Sequence, residues 1–238
     1  MMMGRVLSTD FMKIRKKGIW FLVFLGPFGL VAMQALNFGL RYDYLMKLYS
    51  EDVWGGLIDN FLEFVPLTLL LGITLICSLM ANVEHQVSSW KQLLALPVSR
   101  TTVFSAKFCL SVIVLLVSCV LLVLGIIGLG LALKFDADIP YLHILQICLL
   151  PFIGTLPVLA LQLWLSLTYS NQAISVSIGI TIAIGTLFAG KYAEWVPLKW
   201  PHMALDGPHQ MEALGASLCV GLVILLLGMA HFGRKDVA

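Results

Sequence analysis

Residues 108–133 read FCLSVIVLLVSCVLLVLGIIGLGLAL, 26 residues without a charge, of which 18 are Leu, Ile, Val or Phe. At roughly 0.3–0.6 kcal/mol of favourable insertion for each such side chain, the stretch is stabilised in hydrocarbon by on the order of 5–10 kcal/mol. About 20 apolar residues suffice to cross a bilayer core as a helix. An unpaired strand in lipid leaves its backbone groups unsatisfied, so the stretch reads as a transmembrane helix.

Five further stretches qualify, at about residues 18–40, 64–83, 144–169, 173–190 and 213–232. The fifth span in chain order, 173–190, is the shortest. It follows the fourth after only Ser170, Asn171 and Gln172, which predicts a tight helical hairpin. Composition agrees, with 60% hydrophobic and 12% charged residues and a mean hydropathy of +0.96. A soluble domain carries roughly twice that share of charge. The expectation is a single all-α membrane domain over residues 1–238, crossing the bilayer six times.

Charge sets the orientation. With both termini cytoplasmic, the inner segments hold ten Lys and Arg against five outside, the positive-inside bias. Acidic residues run the other way, with Asp10, Glu84 and Asp236 inside and ten outside. The first span is not read as a cleaved signal peptide, because its apolar stretch is too long and no A-x-A-like site follows. Cys77, Cys109, Cys119, Cys148 and Cys219 all fall inside predicted spans at scattered spacing, as small packing residues rather than a metal or redox site. The last outer loop, 191–212, holds Trp195, Trp200 and three prolines, and is expected to lie along the outer surface or to dip back into it.

Chemistry is sparse. Residues 185–192, GTLFAGKY, come within one residue of a phosphate-binding loop. Tyr192 stands where that loop needs the hydroxyl that holds magnesium, and the segment ends an apolar helix instead of following a strand. An ion-driven carrier or membrane enzyme places ionisable groups deep in its spans. Here every Asp, Glu, Lys and Arg sits at a span end or in a loop, and the deepest polar side chains include Gln34, Gln146 and Gln162. No nucleophile stands beside a base, and the five histidines are dispersed. No catalytic, cofactor-binding or metal-ligating residue is expected, and the chain is not expected to be an enzyme.

Two segments on the inner side carry more information. In residues 1–17, Met3, Leu7, Phe11 and Ile14 recur at helical spacing beside Arg5, Lys13, Arg15, Lys16 and Lys17. That pattern predicts an amphipathic helix on the inner leaflet, its cations anchoring it to anionic lipid. A plain topogenic charge cluster is the alternative. Residues 84–100 read EHQVSSWKQLLALPVSR. On a helical wheel Val87, Trp90, Leu93 and Leu94 share one arc, Pro97 stops the helix, and Ser99 or Thr101 is placed to cap the next one. A short amphipathic helix held between two spans suits a docking element, or else a simple interfacial anchor.

The acidic exit from span two, the Leu-x-x-Leu-Pro-Val-Ser-Arg ending (Leu93 to Arg100) and Lys107 entering span three resemble bacterial ABC exporter permeases of the second type. The start is similar as well, with residues 10–17 reading DFMKIRKK, then Trp20 and Pro27. Together with Ser88, Ser89, Trp90 and Lys91, the pattern looks like the branch associated with lantibiotic immunity and bacitracin resistance. At motif level the likeness covers residues 7–27 and 84–107. It implies a six-span permease subunit in the bacterial cytoplasmic membrane, exporting an amphipathic peptide or other membrane-active compound. A separate cytoplasmic ABC ATPase would hold ATP and magnesium. The other implied partners are a second permease copy or paralogue and the lipid bilayer, with no nucleic acid. The loop 84–107 would couple to the ATPase through Glu84, Val87, Trp90, Lys91, Leu94, Pro97 and Arg100, with Glu84 and Arg100 fixing its two ends by charge. A non-transporting immunity or sensory protein that sequesters its ligand is the competing reading.

Overall fold

The structure, a computed structural model, describes residues 2–14, 18–86, 99–135, 138–205 and 208–234. All regular structure among them is helical. In chain order the helices are α1 (Met2–Ile14), α2 (Ile19–Leu40), α3 (Tyr42–Leu48), α4 (Val53–Leu62), α5 (Phe64–Gln86) and α6 (Arg100–Ala132). There follow α7 (Tyr141–Gly154), α8 (Leu156–Thr168), α9 (Gln172–Thr186), a 3₁₀ turn (Ala189–Lys191), α10 (Trp200–Met203) and α11 (Gln210–Arg234).

Among the described residues four helices, α2, α5, α6 and α11, are long and apolar enough to cross a membrane. The predicted fourth span is a broken one, with α7 and α8 meeting at Thr155 under a 49° bend. Pro151 lies inside α7 and Pro157 sits in the first turn of α8. Pro157 has no N–H to give to the carbonyl four residues back, so the ladder stops there. Thr155 closes the break, its N–H donating to Pro151 O at 2.9 Å and its hydroxyl to Phe152 O at 2.7 Å.

The fifth expected span differs more. α9 has 15 residues, about 22 Å of helix against a hydrocarbon core of about 30 Å. Asn171 caps it, accepting from Ala173 N at 3.0 Å, so the hairpin from α8 is as tight as the three-residue link predicts. Its far end stops at Thr186, four residues short of the sequence boundary, because the chain turns at Leu187 while the side chains stay apolar. The loop behind it folds back into the bundle. The backbone of Pro201 lies against Gly154, where a Cβ would stand 2.7 Å from Pro201 Cα. Trp200 is buried there, its indole N–H donating to Glu194 O.

α5 and α6 are central. α2 packs on both, α9 and α8 pack on α5, α11 packs on α8 and α6, and α1 lies against α6. Leu70, Ile73 and Ile76 of α5 meet a core that includes Phe104, Leu110, Leu115 and Ile126 of α6. The outward faces remain apolar, with Phe21, Phe24, Leu25 and Phe28 exposed on α2 and Leu218, Leu222 and Leu226 on α11. Faces of this size belong against lipid or another chain. Beside the Glu63 end of α5, α3 and α4 cover the bundle instead of leaving a loose loop. Trp54 stacks edge-on to Phe135 at 5.5 Å and fills the notch left by Gly130. Buried Gln34 donates to Asn60 O at 2.6 Å, and Asn60 donates to Tyr49 Oη at 3.1 Å.

Candidate functional site: a buried charge cluster under the 84–107 loop

The first two inner segments predicted from sequence, the N-terminal helix and the 84–107 loop, converge on one point. Glu84 lies in the last turn of α5. Lys107 lies two turns into α6, and Asp10 and Lys13 stand three apart on one face of α1. Lys107 Nζ is 2.9 Å from Glu84 Oε1 and 3.6 Å from Asp10 Oδ2. Lys13 Nζ is 3.0 Å from the same Glu84 oxygen and 3.8 Å from Asp10 Oδ1. Glu84, Lys107 and Asp10 are 1%, 3% and 2% exposed, and only Lys13 reaches solvent appreciably.

One turn further into the bundle the same two helices are pinned again. Ser111 Oγ donates to Lys107 O at 2.9 Å and approaches Met80 Sδ at 3.4 Å. The consequence is mechanical: α1, the end of α5 and the start of α6 move together. A buried set of two acids and two bases adds little net stability over apolar side chains, but removing one member strands its partners at about 3–5 kcal/mol. Asp10 is the strained member. Burial pushes its carboxyl above its ordinary value, against the pull of Lys107 and Lys13, while Glu84 adds to the rise.

The sequence-predicted residues distribute as follows. Glu84 and Lys13 are in the cluster, so Lys13 pairs with protein carboxylates in addition to standing on α1. Arg100 opens α6, half-buried, below the cap made by Ser99, whose Oγ accepts from Thr102 N at 3.2 Å. Glu84 pairs with Lys107, seven residues past Arg100 on α6. Arg5 belongs to α1, though its side chain is outside the described set. Val87, Trp90, Lys91, Leu94, Pro97, Arg15, Lys16 and Lys17 lie outside the described residues. The amphipathic helix itself is present, yet its inward stripe runs through Leu7, Asp10 and Ile14, while Phe11 and Met12 are exposed. Phe11 meets Trp20 of α2 edge-on at 5.7 Å. The places of Asp10 and Lys107 in the cluster are what sequence reasoning missed. Their signal was present, as an acid inside an otherwise basic amphipathic segment and a lone lysine ahead of 26 uncharged residues.

Two polar features lie elsewhere in the bundle. Gln162, fully buried on α8, donates to Ser175 O and Oγ at 2.9 and 3.0 Å, and Ser166 and Ser175 share a 2.7 Å hydrogen bond. Gly179 lets Thr74 and Gln162 close over this seam. In residues 185–192 the N–H groups of Leu187, Phe188 and Lys191 donate to carbonyls of their own turns, so they do not form a phosphate cradle. Among the described residues no three His, Cys, Asp or Glu side chains gather as metal ligands.

Residues 6–187 match the family described as "ABC-2 family transporter protein", which is about three quarters of the chain and includes the whole charge cluster. The chain belongs to the ABC-2 transporter family. No curated protein and no solved structure matches it. ABC-2 permeases are multi-pass membrane components of transport systems, not catalytic themselves, and normally work with an ABC ATPase. In this ABC-2 protein the cluster lies where α5 ends and α6 begins, with α1 against both.

Proposed function

We propose that the chain is the permease subunit of an ATP-driven exporter in the bacterial cytoplasmic membrane, with six spans and both termini inside. The broken α7–α8 pair serves as the fourth span. The short α9, completed by the infolded residues 187–205, serves as the fifth. The positive-inside bias supports this orientation and puts the Glu84 end of α5 in the cytoplasm. A separate ATPase subunit holds ATP and magnesium, and a second copy or paralogue completes the pathway. The substrate is an amphipathic peptide or another membrane-active compound, in keeping with the resemblance to the lantibiotic-immunity and bacitracin-resistance branch.

The observation that carries this reading is the tie from Glu84 to Lys107 and α1. A loop whose two ends are held by buried ion pairs passes a push on to the spans as a rigid-body shift. Residues 84–107 are the coupling loop in this reading. Tagged permease, expressed with its ATPase, should recover that subunit in stoichiometric amount, and the permease alone should neither bind nor hydrolyse ATP. A cysteine at Ser88 should be shielded from impermeant maleimide in intact cells, and one at Asp52 should react. Purification free of any ATPase with ligand binding intact would favour a sequestering protein. Labelling at Ser88 from outside would reverse the topology.

A further inference from the structure

Some 20 residues along α5 from the charge cluster, about 30 Å away, an open cavity lies at the other end of the bundle. It holds about 440 Å³ and is lined by Glu63, Thr186, Leu187, Lys199, His202 and Met203, among others. Glu63 comes from the α4–α5 corner, Thr186 from the end of α9, and Lys199 and His202 from the infolded loop. Among the described residues neither Glu63 nor Lys199 has an ion-pair partner, although they share one cavity. His202 is held in place, its Nε2 3.2 Å from Thr186 Oγ1, and Thr186 also donates to Leu198 O at 3.3 Å. Leu187, which lines the cavity, and its neighbour Phe188 are exposed, apolar and aromatic side chains of the kind found where hydrocarbon meets headgroups.

We infer that this cavity is a binding site for a phospholipid with a zwitterionic, amine-bearing headgroup. The phosphate would sit against Lys199 beside His202, the ammonium against Glu63, and the start of the acyl chains against Leu187 and Met203. Glu63 is exposed and Lys199 half-buried; facing one cavity without pairing, each is stabilised by an opposite charge, and one headgroup of this class supplies both. A purely anionic headgroup satisfies Lys199 but meets Glu63 with like charge. An inorganic anion gains nothing from the apolar wall. The inference depends on the orientation proposed above only for which leaflet supplies the lipid, the outer one.

The test uses the full chain purified in detergent, without an ATPase, so that its outcome is separate from the exporter reading. Short-chain phosphatidylethanolamine, short-chain phosphatidylglycerol and inorganic phosphate are titrated, and the thermal unfolding midpoint is followed. Phosphatidylethanolamine should raise the midpoint saturably and at lower concentration than phosphatidylglycerol, with phosphate ineffective over the same range. Lys199→Ala should weaken both lipids about five- to tenfold, and Lys199→Arg should restore most of that. Glu63→Gln should weaken phosphatidylethanolamine and strengthen phosphatidylglycerol, a reversal that mere loss of fold does not produce. Lys47→Ala, a charge removed from α3, should titrate as wild type. Equal response to both lipids in the wild-type chain, saturation by phosphate alone, or wild-type titrations for Lys199→Ala and Glu63→Gln would each overturn the site.

Discussion

Lys107 Nζ, 3% exposed and 2.9 Å from Glu84 Oε1, joins the start of one span helix to the end of another across the 84–107 loop. The same ammonium stands 3.6 Å from Asp10 of α1. Among the described residues Lys107 is the buried cation that reaches both acids, while Lys13 is partly exposed. Lys107→Met should cost about 3–5 kcal/mol, because it takes a buried cation away from two buried carboxylates. Adding Glu84→Gln to that variant should recover a substantial part of the loss. Unfolding midpoints of the two variants in detergent check this. A single variant as stable as wild type would mean that water reaches the carboxylates and that the clamp is weak.

Asp10 gives the cluster a pH dependence with a definite sign. Its folded value lies above the ordinary 3.8, with burial as the leading cause. Ionised Asp10 is therefore disfavoured by folding. Its contribution is fully present below about pH 3.8 and is lost as pH rises through the raised value. The midpoint difference, wild type minus Asp10→Asn, should fall as pH rises from about 4 towards neutrality. A difference that grows with pH would show that Lys107 and Lys13 outweigh the burial.

Four of the six expected spans coincide with long apolar helices, legible in the sequence because lipid imposes a rule that single residues obey. Residues 108–133 carry no charge and are helical almost throughout. Hydropathy cannot see the break at Thr155, since Leu, Phe and Ile continue on both sides. Pro151 and Pro157 marked it, but proline also occurs in unbroken spans, as Pro27 does in α2. The overshoot of the fifth span has the same cause: Leu187 and Phe188 remain apolar after the backbone has turned. The cluster was half legible. Glu84 and the α1 lysines were visible as charges, but pairing Lys13 with Glu84 joins residues 71 apart, and no local pattern encodes that. The helix expected in the 84–107 loop falls largely on residues 87–98, which lie outside the described residues.

Gly154 tests the infolded loop. A Cβ there meets the backbone of Pro201 at 2.7 and 2.9 Å, and backbone cannot rotate away as a side chain does. Gly154→Ala should destabilise by about 1–3 kcal/mol and should raise the reactivity of a cysteine placed at Trp200, which is buried in the parent. Gly215→Ala on α11 is the control. Nothing lies within 4 Å of its Cβ, and helix propensity favours alanine by up to about 1 kcal/mol. Equal midpoints for the two variants would mean that the loop is not packed against the span break.

Trp90 decides whether the loop above the cluster couples or only anchors. If it packs into a groove of the ATPase, Trp90→Ala removes a large side chain from the middle of an interface. Anchors of that kind commonly contribute 2 kcal/mol or more, roughly thirtyfold in association. If it rests among headgroups, the same change loosens membrane contact slightly and leaves assembly alone. Expression and topology should be normal in both cases, because insertion is driven by the spans. The expected outcome is reduced ATPase recovery with Trp90→Ala and a larger loss with Trp90→Asp, with ATP hydrolysis uncoupled from export in whatever complex remains. The charge cluster sharpens the comparison. Lys107→Met with Glu84→Gln should loosen the base of the loop without touching its contact face, so it should spare ATPase recovery while lowering coupling. Unchanged recovery and transport in both Trp90 variants would make the loop an anchor and leave the cluster a structural staple.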